Sequence, residues 1–205
     1  MFSRVVQSLF RRRVLHPLVV CLAATWSISA PKRAQQEDTV LAARYWVAMH
    51  RGDREEAQSL CSAGQRYYPE NPNFGECELA ILANFGDDVP RAWNLLARID
   101  TLPPFPAPVP HRQLYVAAVI ARAGMSDSAL SVIERARQDL SDQRILTNLQ
   151  PMEAWVRVLV GDHDEAVRVL AAFLQKMPEE TPYIARHHWF AALHDNPHFQ
   201  ALLER

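Results

Sequence analysis

Residues 161–170, GDHDEAVRVL, nearly duplicate residues 52–61, GDREEAQSLC. A catalytic motif is needed once, whereas a phrase that returns at a distance marks a structural unit. Working outward from the two copies, turn glycines fall at Gly52, Gly86, Gly124 and Gly161. Each is followed by an alanine, at Ala57, Ala92, Ala129 and Ala166, spaced by 35, 37 and 37 residues. Three, four and seven residues beyond each alanine a ladder of mostly apolar positions recurs. It reads Leu60, Cys61, Gly64; Leu95, Leu96, Ile99; Val132, Ile133, Ala136; and Val169, Leu170, Phe173. That spacing traces one face of a helix. Twelve residues after the alanines stand Pro69, Pro104, Ser141 and Pro178. Proline cannot continue a helix, so three of the four units carry a stop signal.

The turn chemistry agrees with the ladder. Asp53 and Asp162 directly follow their glycines, with Glu56 and Glu165 three residues on. This is capping-box spacing, in which side chains satisfy the free N–H groups at a helix start. Upstream of each glycine lies another apolar helical stretch: TVLAARYWVAMHR, FGECELAILANF, RQLYVAAVIARA and MEAWVRVLV. Each unit therefore reads as helix, tight turn, helix, stop. One such pair cannot bury its apolar face alone, and stacked neighbours supply the core.

On these residues the chain resembles the tetratricopeptide repeat family, whose unit is a helix pair of about 34 residues. The matching features are the turn glycine, the early alanine, the ladder and the terminal proline. The resemblance covers roughly residues 38–179. It implies an all-α solenoid of about four repeats, with repeats one and two over 38–102 and repeats three and four over 111–180. It also implies a concave groove lined by the first helix of each repeat. By repeat position, Trp46, His50, Phe85, Tyr115, Arg122 and Trp155 are then the candidates to meet a protein or peptide partner there. Aromatic and arginine side chains suit such contacts, because they combine large area with directed donors. Trp46 and Trp155 have an alternative role as core residues.

The flanks differ from the repeats. Residues 1–30 hold Arg4, Arg11, Arg12 and Arg13 and no acid, followed by an apolar run from Pro17 to Ala30. That run is short for a spanning helix, which takes about 20 apolar residues, and it reads as a signal peptide or, uncleaved, a signal anchor. The body is then exported, periplasmic or membrane-anchored, with the N-terminus as its membrane tether. Residues 31–37 read as a linker. Of the 22 basic residues in the chain, those four arginines leave 18 against 23 acidic ones, a net of −5. A mildly acidic body without a basic stripe argues against nucleic acid as a partner.

Residues 103–110, PPFPAPVP, contain five prolines. They read as a stiff spacer of roughly 25 Å at polyproline rise, with a ligand for an aromatic groove as the sharper alternative. Residues 181–205 read as a cap covering the open end of the stack. In that cap one helix carries Trp189, Phe190 and Leu193, breaks at Asn196-Pro197, and is followed by another carrying Phe199, Leu202 and Leu203. The phrase WFAALHDNPHFQALLER is also similar to the close of the repeat regions in certain bacterial membrane signalling proteins. That likeness implies an alternative function, the sensory or regulatory repeat half of such a protein.

Residues that could carry chemistry are few. His187, His188, His194 and His198 cluster late, and a zinc site needs three or four ligands converging at about 2 Å. Adjacent His187 and His188 would diverge by about 100° on a helix, while His194 and His198 flank a proline break. They read as surface or capping residues, and neither a metal nor another cofactor is expected. Cys61 and Cys77 lie equally far from Pro69, so antiparallel helices meeting there would bring them level. A disulfide and a pair of buried small apolar residues both fit. There is no nucleophile elbow, dinucleotide fingerprint or phosphate loop. The expected function is therefore a non-enzymatic protein-interaction scaffold.

Overall fold

The computed structural model describes residues 30–101, 109–138 and 142–204. The expected signal segment and most of the proline-rich spacer lie outside them. Among the described residues the fold is all-helical. The first pair is α1 (Ala30–Arg51) and α2 (Arg54–Tyr67). After a short α3 (Pro72–Gly75) comes the pair α4 (Cys77–Phe85) and α5 (Val89–Ile99). The third is α6 (Val109–Arg122) with α7 (Ser126–Gln138), and the fourth α8 (Gln143–Val160) with α9 (His163–Lys176). Members of each pair pack on one another. Between pairs, α2 packs on α4, α4 and α5 on α6, and α6 and α7 on α8.

Every alanine and every ladder position is buried: Ala57, Leu60, Cys61 and Gly64; Ala92, Leu95, Leu96 and Ile99; Ala129, Val132, Ile133 and Ala136; Ala166, Val169, Leu170 and Phe173. The turns follow two patterns. Gly52, Gly124 and Gly161 have φ of +72°, +77° and +83°, a region that costs a side chain but not glycine. Gly86 is extended, with φ −136°, because its turn holds one more residue before α5 begins. The caps also differ from expectation. Asp53 accepts the Glu56 amide at 3.0 Å, whereas Asp162 makes no cap bond. The Asp162 carboxylate is drawn aside by the Arg157 guanidinium at 2.9 Å. Asp88 caps α5 by accepting the Arg91 amide at 3.0 Å.

Three further boundaries are corrected. The expected linker 31–37 is helical and belongs to α1; Pro31 falls in the first turn, where its missing N–H is not required. The stretch FGECELAILANF is not one helix, since it breaks at Glu76 between α3 and α4. The Glu76 carboxylate instead receives His111 at 2.9 Å and the Arg112 Nε at 3.1 Å. Burial alone would raise its pKa, but hydrogen bonds and charge from His111 and Arg112 outweigh that and hold it below the usual carboxylate range. The expected tail helix through Trp189 is a 3₁₀ turn, His188–Leu193, after a short α10 (Thr181–Ile184). His187 is extended, and its Nδ1 accepts the Trp189 amide at 3.2 Å, which starts the new turn. The final helix α11 (Pro197–Leu203) packs on α9.

Cys61 and Cys77 are joined by a disulfide between α2 and α4, with Cα atoms 5.8 Å apart. Neighbouring helix axes are 8–10 Å apart, but residues on the facing sides come closer than the axes do. A bridge closing a loop of this size limits the unfolded chain and contributes about 3 kcal/mol. Urea unfolding with and without reductant should show a loss of that order. An unchanged midpoint would mean that the bridge adds no net stability.

Candidate functional site

The terminal segment meets the ends of α1 and α4 and packs on α8, and the charge of Arg122 at the end of α6 reaches it. Near the end of α1, His50 meets Tyr183, whose hydroxyl is 3.3 Å from His50 Nε2. The His50 carbonyl accepts His188 Nδ1 at 3.1 Å. Near the end of α4, the buried Asn84 donates from Nδ2 to the Ala80 carbonyl at 2.8 Å. That bond aims its Oδ1 outward, where it accepts the Trp189 indole N–H at 2.6 Å and lies 3.2 Å from His188 Nε2. On α8, the buried Trp155 stacks on Trp189 with centroids 4.2 Å apart and planes 6° from parallel.

His187 sits inside this cluster at 3 % exposure. Its ring lies 4.9 Å from His50, 5.0 Å from Tyr183, 4.8 Å from His188 and 4.4 Å from Trp189, centroid to centroid. Because Nδ1 accepts an amide proton, the ring's own proton belongs on Nε2. That atom is buried and has no hydrogen-bond partner among the described residues. Burial, then the charges of His50 and His188, push its pKa down to about 2. His50 is lowered by burial and by His188. His188 is lowered by burial and by Arg122, against a hydrogen bond to the His50 carbonyl that works the other way. All three imidazoles are thus held neutral.

Against models of protein families, curated proteins and solved structures, this chain gives no match.

The six groove candidates separate into two groups. His50 and Trp155 touch the terminal segment directly. Arg122 is exposed beside it, with Nε donating to the Ala83 carbonyl at 2.9 Å. The other three lie elsewhere. Trp46 is half-buried and donates its indole N–H to Asn73 at 3.1 Å, which ties α1 to α3. Phe85 borders a shallow cleft with Arg54, Cys61 and Arg91 between α2 and α4. Tyr115 is core, with its hydroxyl pKa raised well above the usual value by burial, then by Glu76 and Tyr45.

Of the late histidines, His187 is a capping residue, as one of the two expected roles had it, although buried, and His188 is half-buried. Among the described residues no group of three His, Cys, Asp or Glu side chains is placed to hold a metal ion, and no helix is long and apolar enough to cross a membrane. Sequence reasoning missed Asn84 and Tyr183 altogether. The signal for Asn84 was its position as the one uncompensated polar residue in the apolar run LAILANF.

Proposed function

We propose that this chain is a non-enzymatic protein-interaction scaffold, a tetratricopeptide-type solenoid of about four helical pairs with its repeats outside the cytoplasm. The observation that carries the reading is the face that α1, α4 and α8 present to the terminal segment. It holds the 3₁₀ turn of the terminal segment through a backbone carbonyl, an outward-aimed carboxamide and an indole stack. Those are the means by which a groove grips a peptide. The regular burial of the ladder supports the repeat assignment. The Cys61–Cys77 bridge supports export, since disulfides persist in oxidising compartments. The N-terminal segment supplies the route out of the cytoplasm or the tether.

Arg122 provides the test, being exposed at the rim of this face. A photo-crosslinking residue placed at Arg122 should capture a partner in the native host. Arg122→Glu should weaken binding of that same purified partner about tenfold or more, as expected for an interface arginine, while the helical signal is unchanged. Equal affinity of variant and parent would remove the groove from the reading. The intact mass of the captured chain separates a cleaved N-terminus from a retained anchor.

A further inference from the structure

We propose that the contact between the end of α1 and the terminal segment is an acid-sensitive clasp, closed at neutral pH and opened when its imidazoles take up protons. The inference stands on the geometry of the cluster and holds whatever the partner is. Three imidazoles from two distant parts of the chain are pressed together, and one of them, His187, is almost fully enclosed. An imidazolium there needs an acceptor for each N–H and a nearby negative charge. Among the described residues His187 has neither: Nε2 already lacks a partner there, and Nδ1 faces an amide N–H.

From α1 the cluster meets His50, from α10 Tyr183, and from its own turn His188, Trp189 and Phe190. From α4 comes the neutral Asn84, and from α6 the positive Arg122, which acts on His188. The acid that acts on the rim is Glu180, through Tyr183. The charges that act on His187 are those of His50 and His188, and both oppose its protonation. One feature works the other way. His188 faces two acceptors, the His50 carbonyl and Asn84 Oδ1, so its imidazolium would be partly accommodated. The clasp therefore turns on His187, with His50 adding to it.

Once the clasp opens, His187 is free to titrate near 6.5. A group whose folded-state pKa is depressed stabilises the closed form above that value and loses the contribution as pH falls below it. From His187 alone, the ratio of open to closed forms should rise about 30-fold between pH 8 and pH 5. What opens is the side of the turn that His188 and Trp189 present to His50 on α1 and Asn84 on α4. Phe190 and Leu193, at zero exposure, keep the far end of the 3₁₀ turn anchored on the body.

The test follows the Trp189 indole N–H and the histidine rings by NMR in the full chain from pH 8 to 4.5, with far-UV circular dichroism alongside. We expect the indole signal to leave its Asn84-bonded position between pH 6.5 and 5 while helicity persists. His187→Asn keeps an N-cap acceptor but cannot titrate, so it should hold the indole in place to lower pH. If His187→Asn fails to fold, His50→Gln should give a shallower transition, because fewer protons are taken up. Three results would each overturn the clasp. In one, His187 titrates near 6.5 with the indole unmoved. In another, nothing moves down to pH 4.5. In the third, indole signal and helicity vanish together at the same pH in parent and variants.

Discussion

Replacing Gly64 with alanine should destabilise the chain by about 3 kcal/mol, the upper part of the range for overpacking a core. Gly64 lies in α2 on the ladder, and the Phe74 ring rests directly on it. A Cβ at this position would sit well inside contact distance of Phe74 Cδ1, Cε1 and Cγ. The ring has little room to retreat. Phe74 is 1 % exposed, Tyr45 packs edge-on against it at 6.5 Å, and the neighbouring Cys77 is bridged to α2. Urea unfolding of the parent, Gly64→Ala, Phe74→Leu and the double variant measures both the loss and its cause. A smaller side chain at 74 should recover part of the cost, so the double variant should be less destabilised than the sum of the singles. Strict additivity would mean that the clash is not the reason.

Trp155→Ala should cost about 3–5 kcal/mol, as for other fully buried large aromatics. Trp155 is 1 % exposed in the middle of α8, and its indole face carries Trp189. The loss therefore combines a cavity in the body with a stack worth about 0.5–1.5 kcal/mol beyond its area. A double-mutant cycle with Trp189→Ala separates the two contributions. A coupling near zero would show that the stacked geometry contributes no stability of its own. Loss of the stack should also shift the Trp189 indole N–H away from Asn84, which ties the measurement to the clasp.

The body of this fold was legible because its signals are local and repeated. Leu95, Leu96 and Ile99 declare a helix face by spacing alone, and three other units repeat the statement. The Asp53 cap could be read from a residue three positions away, but the Asp162 cap could not. Its loss depends on Arg157, one turn earlier in the preceding helix, winning the carboxylate. Gly64 looked only like an odd member of a ladder, since nothing in the sequence says that Phe74 lies over it. The site was less legible still. Asn84 meets Trp189 across a separation of 105 residues, and His50 meets His188 across 138. Such pairings leave no periodic mark. The tail had suggested an end cap, and α11 does pack on α9, yet the adjoining turn crosses to the first pair. The sequence offers His187 as a surface or a capping residue on a continuous helix; it caps a turn, from an extended backbone that leaves the ring buried.

The contact between His50 and His188 also changes how the molecule should come apart. In an open row, where each helical pair touches only its neighbours, the end pairs fray first and the middle outlasts them. Here the first pair is fastened to the last segment, so neither end can loosen without losing a contact that spans most of the chain. The row behaves as a loop, and unfolding becomes more nearly all-or-none. The same fastening comes late in assembly, because its partners are 138 residues apart and meet only once the pairs between them are in place. The four pairs can form from local contacts in quick succession, and the closing of the loop is then the late event.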